Sequence, residues 1–243
     1  MRATAAPPAS EDRLAAIRRK HHRRSLVEGS KVVALYSVAV AGAAVVGLMV
    51  ARPMAPAMMI TAGIAWFVGA AFVLYFFRDA MPRPPGERGA ILSPAHGRVD
   101  YIDTLTEATF LNGPARRISI YLSLLNVHVQ HAPVSGRVEF LQRFPGRWSR
   151  AIRRDASLRN EHLLLGLKFG QERSMAVRMI SGIWVRRIVP WIAPGQNVLG
   201  GERIGIIRFG SRVDVFLPLD ARVRVNPGDR VRGGETILAQ FED

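Results

Sequence analysis

The sequence predicts a mainly β protein, a pseudo-symmetric barrel or sandwich with internal repeats, preceded by an N-terminal α-helical membrane hairpin. Three observations carry this expectation: two long uncharged runs near the N-terminus, a series of short apolar runs after residue 78, and turn motifs that recur at fixed offsets. The 243 residues hold 34 Lys plus Arg against 19 Asp plus Glu, a net charge of +15. A surplus of this size points to nucleic acid, an anionic membrane surface or anionic substrates. There is no cysteine, which excludes disulfide scaffolds, thiol nucleophiles and Cys-ligated zinc.

The charge is segregated. Residues 1–77 carry nine Lys/Arg and three Asp/Glu, and nearly all of that excess precedes residue 32. Residues 1–31 therefore form a basic N-terminal segment, with an Ala- and Pro-rich, unstructured tip. Residues 32–50 and 54–77 contain no charge, and only Arg52 and Pro53 break the apolar stretch appreciably. Nineteen and twenty-four helical residues reach roughly 28 and 36 Å, against a hydrocarbon core of about 30 Å. We read 32–77 as a membrane hairpin with spans of about 32–51 and 54–77, the short connection leaving a re-entrant wedge open beside two full spans. A cleavable leader fits less well, because a second apolar run follows at once. Arg18, Arg19, Lys20, Arg23, Arg24 and Lys31 precede the hairpin and Arg78, Arg83 and Arg88 follow it. Positive flanks on both sides place both ends in the cytoplasm, and so the remainder on the cytoplasmic side of the cell (inner) membrane.

Pro82, Pro84, Pro85 and Gly86 cannot continue a helix and form a linker. Beyond it, apolar runs at 91–92, 98–102, 117–122, 136–141, 163–169, 175–180, 204–208, 213–217, 222–225 and 236–241 are separated by Gly, Pro and Asn. Several alternate with polar residues at the period of a half-buried strand, so 78–243 reads as a β domain. Residues 183–192, with Trp184, Val185, Ile188 and Val189 near helical spacing, are expected to form its one short helix.

The stretch from Pro194 to Ile204 matches that from Pro227 to Ile237 at every Pro, Gly, Val, Glu and Ile, at an offset of 33. Ser93-Pro94-Ala95-His96-Gly97-Arg98-Val99 and Ala132-Pro133-Val134-Ser135-Gly136-Arg137-Val138 share Pro, Gly, Arg and Val at an offset of 39. Turn residues repeated at fixed distance from β-branched positions describe one local geometry used twice.

Four stretches combine in order: Phe76-Phe77-Arg78-Asp79 with Arg83 and Pro85; Ser93 to Val99; Asn126-Val127-His128-Val129-Gln130-His131-Ala132-Pro133; and Arg208-Phe209-Gly210-Ser211-Arg212-Val213-Asp214-Val215. With an apolar hairpin in front, they resemble the phosphatidylserine decarboxylase family in its short bacterial form. That resemblance covers the chain from about Phe76 onward. It implies autocatalytic cleavage between Gly210 and Ser211, leaving a β chain 1–210 and an α chain 211–243 whose Ser211 has become a covalent pyruvoyl cofactor. It further implies decarboxylation of phosphatidylserine to phosphatidylethanolamine, phosphatidylserine and the anionic membrane surface as partners, and homo-oligomerisation. Glycine at 210 suits attack by the Ser211 hydroxyl because no Cβ hinders the approach. A ketone electrophile also supplies carbanion chemistry that a chain without cysteine otherwise lacks.

Proton transfer falls to histidine, whose pKa lies near neutrality. Of the two that the resemblance offers, we assign His128 to the decarboxylation proton and His131 to activation of Ser211. In a regular strand, residues three apart point to opposite faces. His128-x-x-His131 also suits a metal, but without Cys or a carboxylate in register we expect none.

His96 is a departure, since the family has Asp in its Ser-Pro-Ala-Asp-Gly pattern. Imidazole holds no fixed negative charge with which to stabilise a neighbouring imidazolium. Three outcomes follow: His96 orients the base less effectively, Asp100, Asp103 or another carboxylate substitutes, or the chain is an unprocessed, lipid-binding homologue. A membrane-anchored barrel-sandwich adaptor is the other alternative, given the anchor and the repeated turns, although no long heptad-patterned hairpin is visible.

Arg178, Arg186, Arg187, Arg203, Arg208 and Arg212 are candidate partners for a lipid phosphate or carboxylate. Six Arg between 143 and 159 accompany Trp148, but no nucleic-acid module does, so this stretch reads as a loop near the bilayer leading into Asn160 and Glu161.

Overall fold

The computed structural model describes residues 27, 30–46, 55–78, 82–147, 159–170, 173–182, 187–207 and 211–241. Its contacts divide the chain into two units, Met1–Asp79 and Ala80–Asp243.

The first unit holds two apolar helices, α1 (Ser30–Val46) and α2 (Ala55–Phe76). Pro56 stands in the first turn of α2, where a missing N–H costs nothing. The helices touch: Tyr36 Oη donates to the Ala65 carbonyl at 2.8 Å, and Trp66 Nε1 donates to Ser37 Oγ at 2.9 Å. Gly69 makes room for the Tyr36 ring, since a Cβ there would collide with it. The stretch Met59–Phe76 has a mean hydropathy of 1.9 and is long and apolar enough to cross a bilayer. Ile60, Ile64, Phe67 and Val68 all lie exposed on it, the pattern of a helix whose apolar surface faces something other than water. The Arg52-Pro53 connection of the expected hairpin lies outside the described residues.

Among the described residues the second unit holds fourteen short strands. In chain order they are β1 (Ala90–Leu92), β2 (Gly97–Glu107), β3 (Gly113–Leu122), β4 (Val129–His131), β5 (Gly136–Phe144), β6 (His162–Phe169) and β7 (Arg173–Ile180). Then follow β8 (Ile188–Pro190), β9 (Asn197–Val198), β10 (Arg203–Ile207), β11 (Ser211–Leu217), β12 (Arg222–Val223), β13 (Arg230–Val231) and β14 (Ile237–Gln240). Eight form a curled half-barrel in the order β13-β2-β3-β11-β7-β6-β5-β9; the other sheets are β1-β14-β12 and β4-β10-β8. Each of the ten apolar runs in the sequence overlaps a strand. The helix expected over 183–192 does not form across its second half. Ile188–Pro190 instead pairs with Gly205, Ile206 and Ile207, tertiary pairing of β-branched residues overriding a helical spacing.

Both offsets in the sequence reappear as geometry. β2 and β5 each open on a glycine whose Cβ would strike a carbonyl of the neighbouring strand, that of Tyr121 or Lys168. Each carries a bulge two residues later, between Val99 and Tyr101 or between Val138 and Phe140. Gly195 and Gly228 have φ of 82° and 98°, and Gly201 and Gly234 have φ of 79° and 72°, a conformation glycine adopts without strain. The two halves clasp one another: Leu92 N donates to the Pro133 carbonyl and His131 N to the Pro94 carbonyl, both at 2.8 Å. This reciprocal pair makes the barrel pseudo-symmetric and fixes His131 against the turn that carries His96.

The centre of the half-barrel, around β11, β7 and β6, is buried on both faces. Val99, Ile118, Ile120, Leu122, Val138, Leu165, Val177, Val213 and Val215 belong to the main core inside it. On the outer face Ala115, Leu164, Ala176 and Phe216 pack beneath Phe110, Phe140 and Phe144. The turn bearing Phe110 is held by Glu107, which accepts backbone N–H bonds from Thr109, Phe110 and Leu111 at 2.8–3.1 Å. Burial raises the Glu107 pKa, but those donors and Arg178 outweigh it and hold the carboxyl below its ordinary value. Every residue of β11 is consequently buried.

Candidate active site

Ser211 is the first residue of β11 and stands opposite Leu122 of β3. Alternation places it on the inner face with Val213, Val215 and Leu217. It is fully buried, and its Oγ has no hydrogen-bond partner among the described residues. Leaving a buried hydroxyl unpaired costs about 1–3 kcal/mol, a price that calls for a chemical reason. Gly210, the other half of the expected scissile bond, lies outside the described residues.

His131 closes β4 opposite Arg203 of β10. It is fully buried, and neither ring nitrogen has a hydrogen-bond partner among the described residues. Burial first, then His96 and Arg203, hold its pKa well below the ordinary 6.5. The ring is therefore neutral at physiological pH and able to accept a proton. The His96 ring lies edge-on to it, with centroids 5.8 Å apart and planes at 73°. Gly233 backs both rings: a Cβ there would come within 2.8 Å of His131 Nδ1 and 3.1 Å of His96 Cδ2.

The two carboxylates weighed as substitutes at this site are engaged elsewhere. Asp100 accepts from Arg212 Nη2 at 2.7 Å, and Asp103 takes both Nε and Nη2 of Arg117 at 2.8 and 2.5 Å. Among the described residues, the charged or titratable groups that bear on His131 are His96 and Arg203.

His128, also fully buried, immediately precedes β4. Its Nδ1 lies 2.8 Å from the Asn126 carbonyl, which can only accept, so Nδ1 carries the proton and Nε2 is the basic nitrogen. Its own carbonyl accepts from Ile207 N at 3.2 Å and from Gln130 Nε2 at 2.8 Å. His128 is thus fixed beside the strand that leads into Gly210, and His131 against the turn of His96.

The arginines resolve differently from the sequence expectation. Arg212 is completely buried on the outer face, donating to Ser119 Oγ and Asp100 Oδ2, both at 2.7 Å, while Ser119 Oγ donates to Asp214 Oδ1 at 2.5 Å. Arg178 is 3.8 Å from Glu107, and Arg203 is buried beside His131. Arg212 therefore braces the sheet, while Arg187 is exposed and Arg186 and Arg208 lie outside the described residues. Asn160 is also structural, donating Nδ2 to the Ser181 carbonyl at 2.8 Å, and Glu161 pairs with Arg143. Residues 148–158 of the expected loop lie outside the described residues. Gly233 was missed in the sequence, although its place in the Gly-Gly repeat marked a tight approach. Among the described residues no cluster of three or more His, Asp or Glu is arranged to hold a metal ion.

The arrangement matches known proteins over most of its length. A family model described as phosphatidylserine decarboxylase matches residues 70–239. The phosphatidylserine decarboxylase proenzyme of Desulfotalea psychrophila is 39% identical over 176 residues, covering 72% of this chain and 82% of the relative. The proenzymes of Symbiobacterium thermophilum and Nitrosomonas eutropha are 38% and 37% identical over 184 and 206 residues, covering 73% and 83% of this chain and 86% and 91% of their own. The match runs through the repeated turns, which leaves the adaptor reading without support.

Proposed function

The chain belongs to the phosphatidylserine decarboxylase family, and on that premise we propose that it is made as a proenzyme, cleaves itself between Gly210 and Ser211, and decarboxylates phosphatidylserine to phosphatidylethanolamine. The observation that carries the proposal is the Ser211 hydroxyl, buried and unpartnered among the described residues at the first position of a strand. A hydroxyl held this way fits a group that is consumed in making a cofactor better than one that serves the fold.

In the processing step, neutral His131 takes the Ser211 Oγ proton as Oγ adds to the Gly210 carbonyl carbon. The Ser211 nitrogen leaves that carbon with a proton, giving an ester and a new amine. Loss of the Cα proton then expels Gly210 as a carboxylate and leaves a double bond in residue 211, and water releases its nitrogen as ammonia. His96 orients the base through the edge-on contact, in the place where the family has a carboxylate. Residue 211 would then hold the pyruvoyl group, whose carbonyl would supply an electrophile for the substrate amine and a sink for the electrons released on loss of carbon dioxide.

The remaining work falls to side chains already in position. His128, its Nδ1–H held by the Asn126 carbonyl, presents Nε2 for proton transfer. The inner core excludes water from the strand that starts at Ser211. We further propose that α2, with the basic residues that flank the apolar runs, anchors the protein to the membrane that contains its substrate, with the β unit on the cytoplasmic face. Incubating the full-length protein with phosphatidylserine vesicles and measuring phosphatidylethanolamine tests the reading: turnover by the wild type and none by Ser211→Ala is expected, and equal turnover by both would refute it.

A further inference from the structure

The β unit contains a cavity of about 790 Å³ for which the processing chemistry has no use. It lies between the start of β2 (Gly97, Arg98, Val99, Asp100), Tyr121 at the end of β3, the loop residues Ser123, Leu125 and Asn126, and the turn at Gly228 and Arg230. Its size is that of a small-molecule site.

Two features give it a chemical character. Arg98 and Arg230 are direct partners across the β2–β13 ladder. Like charges so placed repel, and an anion between them removes the penalty. The Arg98 guanidinium is aimed by Nε donating to the Gly228 carbonyl at 2.8 Å. The acid in the cavity, Asp100, is already engaged by Arg212, so the lining keeps a net positive charge.

The second feature is the loop between β3 and β4. Asn126 Oδ1 accepts from both Ser123 N and Ser123 Oγ, at 2.8 and 2.7 Å, and Asn126 N donates back to the Ser123 carbonyl at 3.0 Å. The Asn126 side-chain carbonyl and the Ser123 hydroxyl are spent on closing the loop, and its tip presents Leu124 and Leu125, 39% and 63% exposed. A rigid turn displaying two leucines beside a cationic cavity has the polarity of a bilayer surface, with apolar groups next to phosphate-binding ones. Asn126 is also the residue whose carbonyl fixes His128, and Leu122, one residue before the loop, pairs with Ser211.

We propose that this cavity is the headgroup site for the aminophospholipid, in which Arg98 and Arg230 hold the phosphodiester while Leu124 and Leu125 enter the acyl region. The inference rests on the decarboxylase reading and adds the residues that select a phospholipid.

The test compares full-length wild type, Arg98→Ala/Arg230→Ala and Leu124→Ser/Leu125→Ser, each first checked by mass for self-cleavage. Cleavage is expected to be unchanged in both variants, since neither touches His96, His131 or Ser211. In mixed micelles of phosphatidylserine the arginine variant is expected to raise KM about tenfold or more with little change in kcat. Inhibition by glycerophosphoserine, a phosphodiester without acyl chains, is expected to be lost in the arginine variant and kept in the leucine variant. The leucine variant is expected to weaken turnover of long-chain phosphatidylserine and not of a dihexanoyl form. Cleaved, active arginine variants with wild-type KM and wild-type inhibition overturn the proposal. So does inorganic phosphate inhibiting as strongly as glycerophosphoserine, which would mark a general phosphate site. If the wild type neither cleaves nor turns over, the decarboxylase reading fails, and direct binding of glycerophosphoserine to wild type and arginine variant still decides the cavity: equal binding to both overturns it.

Discussion

The His96 ring meets the His131 ring edge to face, 5.8 Å between centroids, in a turn and a strand joined by the hydrogen bond from His131 N to the Pro94 carbonyl. Two imidazoles meet where the family resemblance implies an imidazole beside a carboxylate. Arg203 stands opposite His131 in the β4–β10 ladder, and among the described residues the groups that bear on His131 are His96 and this cation, with no carboxylate to balance the proton that the proposed mechanism gives it.

Replacing His96 with Asp supplies that balance. A carboxylate beside His131 raises its pKa and stabilises the imidazolium that develops as Ser211 is deprotonated. His96→Asp is expected to speed self-cleavage about tenfold, equivalent to ~1.4 kcal/mol of barrier, in a time course of intact mass after synthesis. Slower cleavage in the variant would mean that His96 supplies something a carboxylate does not.

Protonation of His131 opposes the fold. Its native pKa lies below the ordinary 6.5, so beneath that value the unfolded chain binds a proton that the native chain does not. Stability therefore falls as pH drops below about 6.5 and levels off only below the native pKa. Glu107, also depressed, adds a further loss below its ordinary 4.5. Urea midpoints of Ser211→Ala, which removes cleavage as a variable, should decline between about pH 6.5 and 5, and His131→Asn in the same background should flatten that part of the profile. An unchanged slope in the double variant would show that His131 does not carry the effect.

Gly233 tests the geometry of the pair without altering either ring. The Cβ of Gly233→Ala would press on His131 Nδ1 and His96 Cδ2. The expected result is slower self-cleavage with a stability loss of about 1–3 kcal/mol by urea unfolding. Wild-type cleavage kinetics in this variant would place the active arrangement of the histidines elsewhere.

Arg212 tests the brace behind Ser211. Its removal takes away the cation that reaches buried Asp214 through Ser119 Oγ and leaves Asp100 without its partner. Arg212→Ala is expected to destabilise the β unit by about 3–5 kcal/mol, read as a lowered urea midpoint. An Arg212→Ala/Asp214→Ala/Asp100→Asn variant should recover part of that loss, because the stranded charges go with the cation.

The sequence exposed the parts of this fold that repeat. Pro194 to Ile204 and Pro227 to Ile237 became matching turns with left-handed glycines, and the offset of 39 became two strands with glycine at the start and a bulge at the same position. It did not expose the second buried face of the half-barrel. The alternation in Ser211 to Leu217 reads as one wet face, but Phe110, Phe140 and Phe144 cover that face from distant positions, and Arg212 becomes a buried brace. Nor did the spacing of Ile188 and Val189 reveal a strand, because only pairing with Ile206 and Ile207 decides it. At the site, the histidines and Ser211 were legible as residue types, whereas the reciprocal clasp that brings His131 to His96 needed three dimensions.

The most direct measurement is the intact mass of the purified full-length protein, alongside Ser211→Ala. The account predicts a fragment of residues 211–243 bearing pyruvoyl at its start, a partner ending at Gly210, and a variant that stays whole at about 26.8 kDa. A wild-type chain that remains whole while converting phosphatidylserine, or one cut at another bond, would contradict it.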